Sequence, residues 1–285
     1  MIMPGPDTPL IKTVDKSGFP FQLAVDRELR TLGQRHSWAV VPEVPIGDRF
    51  ADIVLRRPNL LAVVECKRVD GEHWQFLVPK GSSSNRVRCR VEWHNPRAVK
   101  PPALMGSLLR LSKIFCSECT MSEGSYEASI CVLPKKNAQT SLETLSRDIL
   151  GTTHTLGELF GLQFDATPTY LIPVIATNAE LSICEYDPAS LDINTGHLGG
   201  VEFKPADFVR FRKTLVSRRS NDYVWQRGSL EDWAADRERT VFVVSPGGLD
   251  RFLSGFRAFG YAGADQHPPE FVSPPQEGTG LSDFE

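Results

Sequence analysis

The sequence predicts an α/β fold, a mixed central sheet flanked by helices, and three features carry that prediction. Two apolar runs, Ala51 to Leu55 and Leu60 to Val64, flank Arg56-Arg57-Pro58-Asn59 and read as a buried hairpin. A helical apolar period running from Phe21 to Leu32 precedes that hairpin. Beyond residue 100, further strand-like runs alternate with helical segments. With 285 residues, 41% of them hydrophobic, the chain can bury a substantial core as one elaborated domain or two small ones.

Taken in order, residues 1 to 20 are rich in Pro, Gly and Asp and predict an irregular lead-in. Phe21, Val25, Leu29 and Leu32 then share one helical face, with Gly33 as the expected stop. Trp38 to Val44 reads as the first strand, leading through Gly47 into the hairpin. Lys80 to Lys100 opens with a Gly/Ser segment and then sets Arg86, Arg88 and Arg90 at alternate positions. On a strand their guanidinium groups would share a face, either as a ridge that tracks phosphates with Trp93 nearby for stacking, or as the charge that protects an edge strand. Gly106 to Cys119 is expected to be an amphipathic helix and Ala128 to Leu133 a strand. Ser141 to Phe160 is expected to be helical with a break at Gly151, and Tyr170 to Ala176 and Leu181 to Tyr186 are expected to pair as a hairpin. A second basic cluster, Arg210, Arg212, Lys213, Arg218 and Arg219, followed by Tyr223, Trp225 and Arg227, suits either a nucleic-acid contact or a solvated face. A strand from Thr240 to Ser245, a Pro246-Gly247-Gly248 turn and a short helix from Leu249 to Phe259 complete the ordered part.

The chemistry concentrates at one end of the central hairpin. Asp52 opens its first strand, and Glu65-Cys66-Lys67 closes its second. Antiparallel pairing brings the start of one strand beside the end of the next, so Asp52 and Glu65 converge, while Glu65 and Lys67 share a face. Two carboxylates and the Cys66 carbonyl are hard oxygen donors of the kind that hold Mg²⁺ or Mn²⁺. Lys67, outside that shell, would lower the pKa of an attacking water or offset charge on a phosphate. An E-x-K triplet alone is weak evidence, and Glu202-Phe203-Lys204 supplies a decoy that follows Gly199-Gly200 and is closed by Pro205.

Asp52 followed by Glu65-x-Lys67 resembles the PD-(D/E)xK nuclease superfamily. The likeness is nearest to the archaeal-type Holliday-junction resolvases over residues 21–68, where a helix with an E-R-E-L-like segment, here Asp26-Arg27-Glu28-Leu29, precedes the same hairpin. Ala51 stands where the superfamily name has proline. The resemblance implies a restriction-endonuclease-like core and a Mg²⁺- or Mn²⁺-dependent endonuclease acting on DNA in preference to RNA. It also implies a place in bacterial defence against foreign DNA. Asp52, Glu65 and Cys66 would hold the metal, Lys67 would stabilise charge, and a helix-borne acid would orient the water or a second metal. Helix phase favours Glu28 for that last role and direct matching favours Asp26; Glu28 is the residue adopted. On this reading residues 21–100 form the nuclease core, and 101–260 the rest of the core or an accessory α/β region. The competing reading is a catalytically silent nucleic-acid-binding or scaffold protein with the same fold.

Net charge is −3, which on its own argues against a general polyanion binder. Residues 261–285 carry five acids and no Lys or Arg, which leaves the preceding body at +2 and predicts a disordered acidic tail. The six cysteines are irregularly spaced, no apolar run reaches the ~20 residues of a membrane span, and no signal-peptide core is present, so a reduced, cytoplasmic setting is expected. Cys116-x-x-Cys119 lacks the second pair that a zinc site requires. A homo-oligomer or a partner protein is compatible with all of this.

Overall fold

The computed structural model describes residues 9–47, 49–58, 60–81, 87–95, 113–121, 126–133, 138–163, 169–214 and 238–255. Helices α1 (Pro9–Lys16) and α2 (Phe19–His36) lead into an antiparallel meander of β1 (Ala39–Ile46), β2 (Arg49–Arg57) and β3 (Leu60–Lys67). The chain continues through β4 (His73–Pro79), β5 (Val87–Asn95), β6 (Lys113–Met121), β7 (Tyr126–Ala128), β8 (Ile130–Val132) and α3 (Ala138–Gln163). It ends with β9 (Thr169–Thr177), β10 (Glu180–Tyr186), β11 (Glu202–Pro205), β12 (Phe208–Thr214), β13 (Glu238–Val244) and α4 (Leu249–Gly255).

A nine-stranded mixed sheet runs β1-β2-β3-β9-β13-β12-β7, with β5 joined to both β9 and β6. Strand β9 lies parallel to β3 from Leu60↔Tyr170 to Lys67↔Thr177, so strands from residue 113 onward extend the sheet that the meander begins. One face carries a core built from Val25, Leu29 and Leu32 of α2, Leu60, Ala62 and Val64 of β3, and Phe252 and Leu253 of α4. Phe252 packs its ring at 5.3 Å from Phe242 and 5.8 Å from Phe208. Asp250 ties α4 to the end of α2, with its Oδ1 2.7 Å from His36 Nε2 and 3.1 Å from Arg35 Nη1. The opposite face packs Leu61, Val63, Val241 and Val243 against α3 and against a second sheet, ordered β11-β10-β4-β8. Phe76 of β4 meets Phe211 of β12 edge to face at 6.0 Å.

The structure corrects several expectations. The lead-in is helical from Pro9, whose missing N–H costs nothing at a first helical position. Helix α2 ends at Ser37 (φ 60°), not at Gly33; the Ser37 N–H returns to the Gly33 carbonyl. Gly33 serves close packing instead, since a Cβ there would lie 2.8 Å from the Trp38 carbonyl oxygen. Where the helix expected over Gly106 to Cys119 is described, from Lys113 onward, the chain instead forms β6, which pairs with β5 along its whole length, from Val87↔Met121 to Asn95↔Lys113. Ile114, Phe115 and Thr120 suit a strand, and a short apolar run does not distinguish the two periods. The strand expected over 128–133 divides at Ser129 into β7 of the large sheet and β8 of the small one. Helix α3 passes through Gly151 unbroken.

The hairpin expected across residues 177–180 is also absent, because β9 and β10 belong to different sheets. The Asn178 side chain takes the Val69 N–H at 2.7 Å and donates to the Val69 carbonyl at 2.8 Å, clamping one chain crossing to the other. The β3–β9 pair therefore passes into the parallel β4–β10 pair of the second sheet, which starts at His73↔Glu180.

Candidate functional site

The site forms where the ladders around β2 open. Pairing of β2 with β3 runs from Arg57↔Leu60 to Ile53↔Val64 and stops one step short of Asp52 and Glu65. Pairing of β1 with β2 passes over Glu43 and Asp52 between Pro42↔Ile53 and Val44↔Ala51. At that gap Glu43 has a left-handed backbone, φ 50°, which is uncommon for a residue with a side chain. Continuing each register sets Glu43, Asp52 and Glu65 in a row across three strands.

Asp52 Oδ2 accepts the Cys66 main-chain N–H at 2.7 Å, the bond that replaces the missing ladder step. Burial holds the Asp52 carboxyl above its ordinary range, opposed by that hydrogen bond and assisted by the charge of Glu43. Glu65 is pushed up to about 7, first by burial, then by Asp52 and by Asp148 of α3, with Lys67 pulling it down. Burial, followed by the charges of Asp52, Glu65 and Asp26, raises the Cys66 thiol strongly, so it stays protonated. Two half-buried carboxylates that repel each other are the donor set a divalent cation would relieve. Asp52 and Glu65, with the Cys66 main chain beside them, therefore fit Mg²⁺ or Mn²⁺. Among the described residues, no three His, Cys, Asp or Glu side chains are gathered to hold a metal.

Side-chain alternation along β3 sends Leu61 and Val63 to the α3 face and Leu60, Ala62 and Val64 to the α2 face. Glu65 and Lys67 thus share the α3 side, both half-buried, while Cys66 packs against the α2-side core. On α2, Glu28 is exposed, whereas Asp26 is largely covered, with its side chain 18% exposed and within electrostatic reach of Cys66. Asp26 is gripped by Arg30 at 2.9 and 3.1 Å. Of the two helix-borne candidates, the fold brings Asp26 to the hairpin.

Glu43 and Asp148 were not singled out from the sequence. Glu43 had a signal, because pairing Ile46 with Arg49 across the β1–β2 turn counts back to Glu43 opposite Asp52. Asp148 had none, since only the packing of α3 on the sheet brings it to Glu65.

The arginine series lies apart from this row. Arg86 falls outside the described residues, and so do Arg218, Arg219, Tyr223, Trp225 and Arg227. Arg88 and Arg90 belong to β5, which pairs with β6 along its length and with β9 only at Glu92 to His94. The Arg90 N–H donates to Thr240 Oγ1 at 2.9 Å, and its guanidinium lies 3.8 Å from Glu238. Arg210 is buried against Glu127 at 3.1 Å, Arg212 reaches Glu127 and Glu238, and Lys213 meets Glu143 at 2.7 Å. The decoy Lys204 is paired with Glu185 at 2.7 Å and Glu202 at 3.6 Å on β11, at the edge of the second sheet. No helix among the described residues is long and apolar enough to cross a membrane. No family model, curated protein or solved structure matches the chain.

Proposed function

We propose that the protein is a metal-dependent nuclease that hydrolyses phosphodiester bonds in DNA, with its site at the open end of the β2–β3 pair. The observation that supports this reading most is the convergence of Asp52 and Glu65 across the lapsed ladder, with Lys67 on the face of Glu65. Asp52, Glu65 and the Cys66 carbonyl would hold Mg²⁺ or Mn²⁺, which when bound polarises the phosphoryl group. The Lys67 ammonium offsets charge that develops on the phosphate oxygens and favours the hydroxide form of the attacking water. Asp26, held by Arg30, reaches Cys66 on the α2 side, across the sheet from Glu65 and Lys67, and the helix acid within reach of Glu65 is Asp148 of α3. Glu65, with its proton leaving at about 7, is ionised over the alkaline part of the working range.

DNA as substrate, restriction of foreign DNA as the role and the cytoplasm as the setting belong to the same proposal and rest on the superfamily resemblance. The test is cleavage of a labelled duplex and a labelled single strand by the wild type and by Asp52→Ala, with Mg²⁺, Mn²⁺ and EDTA. Cleavage by the wild type with metal alone, lost in Asp52→Ala, supports the proposal. Tight DNA binding by a wild type that cuts no substrate with either metal would favour the scaffold reading.

A further inference from the structure

The Cys116-x-x-Cys119 spacing means different things on a helix and on a strand. On a helix, residues three apart share a face, whereas on a strand they take opposite faces with Cα atoms about 10 Å apart. Both cysteines belong to β6, so they are not partners for each other. Register supplies a partner from the neighbouring strand, because Cys89 of β5 is directly opposite Cys119, while Cys116 is opposite Glu92. Opposed residues of an antiparallel pair have Cα atoms about 4.5–5.5 Å apart, inside the about 4.4–6.8 Å that a disulfide spans. Among the described residues no other two cysteines are opposed. Cys66 is opposite Ala176, and Cys131 and Cys184 stand on β8 and β10 with β4 between them.

We propose that Cys89 and Cys119 are an oxidisable dithiol, which a peroxide closes into a cross-strand disulfide and a thiol reductant reopens. One thiolate sulfur attacks a peroxide oxygen; the O–O bond breaks, water leaves and a sulfenic acid forms. The second thiolate then attacks that sulfur, the S–O bond breaks, and the hydroxide departs as water. Two thiols together lose two electrons, and one hydrogen peroxide is reduced to two waters. The buried Arg210 guanidinium, held by Glu127 at 3.1 Å, lies within electrostatic reach of Cys89, so a thiolate formed there faces a cation. Cys89 is 1% exposed in the α2-side core, but among the described residues β6 pairs with β5 alone, so parting of that one ladder opens the pair to solvent. The bond closes a loop of about 30 residues and fixes β6 to β5, which Arg90 ties to β13 and Glu92 to His94 tie to β9.

The test is oxidation of the folded full chain with hydrogen peroxide, alkylation of the remaining thiols, digestion without reductant and mass spectrometry. The fragment with Cys89 should be joined to the fragment with Cys119, at their summed mass less two hydrogen atoms, and dithiothreitol should separate them. Cys116→Ser should form the same bond and Cys119→Ser should not, while oxidation of the wild type in guanidinium chloride should scramble the pairing. The oxidised wild type should also melt several degrees above the reduced protein, a rise that Cys119→Ser should lack. A bond between Cys116 and Cys119, cysteines that stop at sulfenic or sulfinic acid with no bond from Cys89 to Cys119, or a bonded protein that melts no higher than the reduced one would overturn the proposal. None of these results bears on cleavage by the Asp52 site.

Discussion

Asp52 Oδ2 accepts the Cys66 main-chain N–H at 2.7 Å, so the carboxylate that opens β2 is tied to the backbone between Glu65 and Lys67. Substitution separates its charge from its hydrogen bond. Asp52→Asn retains an oxygen for that N–H and removes the repulsion from Glu43 and Glu65, so in EDTA it should melt above the wild type. Asp52→Ala also orphans a partly buried N–H and should be about 1–3 kcal/mol less stable than Asp52→Asn. Both should lose Mg²⁺ binding by calorimetry. Equal stability of the two variants would mean that the bond contributes nothing.

Glu65 gives a pH dependence whose sign is fixed by its shift. Its folded value of about 7 lies above the ordinary 4.5, so between those two values the folded protein keeps a proton that the unfolded chain has released. That contribution to stability is complete below 4.5 and is lost as the pH rises through 7; Asp52, also raised, acts in the same direction. The metal-free protein should therefore melt lower at about pH 8 than at about pH 5, and Glu65→Gln should flatten the difference. Mg²⁺ competes with the same proton, so its affinity should rise about tenfold per pH unit below 7. A melting temperature that ignores pH in both proteins would contradict the burial and repulsion assigned to Glu65.

The α2-side core has its own test at Phe252, which is 1% exposed between Phe208 and Phe242. Phe252→Ala should cost about 3–5 kcal/mol in denaturant unfolding, the range for a large aromatic removed from a packed site. A loss below ~1 kcal/mol would show that α4 is dispensable to this core.

The central hairpin and the helix before it were legible because both rest on short-range periodicity. Apolar runs on either side of a polar turn define β2 and β3, and a stripe three and four residues apart defines α2. The parallel pairing of β3 with β9 was not legible, since it joins residues 110 apart and depends on α3 returning the chain to the sheet. Nor was the change of sheet between Thr177 and Glu180, where two adjacent apolar runs imitate a hairpin but pair with β3 and β4 in different sheets, with Asn178 clamped on Val69 at the crossing. The choice between Glu28 and Asp26 rests on a small difference in helix phase. The stripe from Phe21 to Leu32 leaves Glu28 closer to its centre, and Gly33 and His36, buried too, turn that centre only about 20° toward Asp26. Asp26→Asn and Glu28→Gln should each cleave at near the wild-type rate in a side-by-side measurement, and a marked loss in Glu28→Gln would restore Glu28 to the site.

Lys67 and Lys204 are the lysines of the two E-x-K triplets, and their surroundings separate them. Lys67 ends the buried strand β3 and stands on the face of a carboxylate whose pKa is pushed up to about 7, whereas Lys204 is committed to Glu185 at 2.7 Å on an edge strand. Removing the Lys67 ammonium leaves Asp52, Glu65 and the Cys66 carbonyl in place, so Lys67→Ala should bind Mg²⁺ and DNA. It should cleave about 10²–10³-fold more slowly, the cost of losing one preorganised charge at the reacting group. Lys204→Ala and Glu202→Ala should cleave at near the wild-type rate, because their ion pairs lie on the second sheet. The measurement is single-turnover cleavage of a labelled duplex at saturating Mg²⁺, with metal affinity taken separately by calorimetry. Full activity in Lys67→Ala together with loss in Lys204→Ala would move the chemistry to the second triplet, and loss of metal binding in Lys67→Ala would mean that the lysine holds the site together rather than acting on the phosphate.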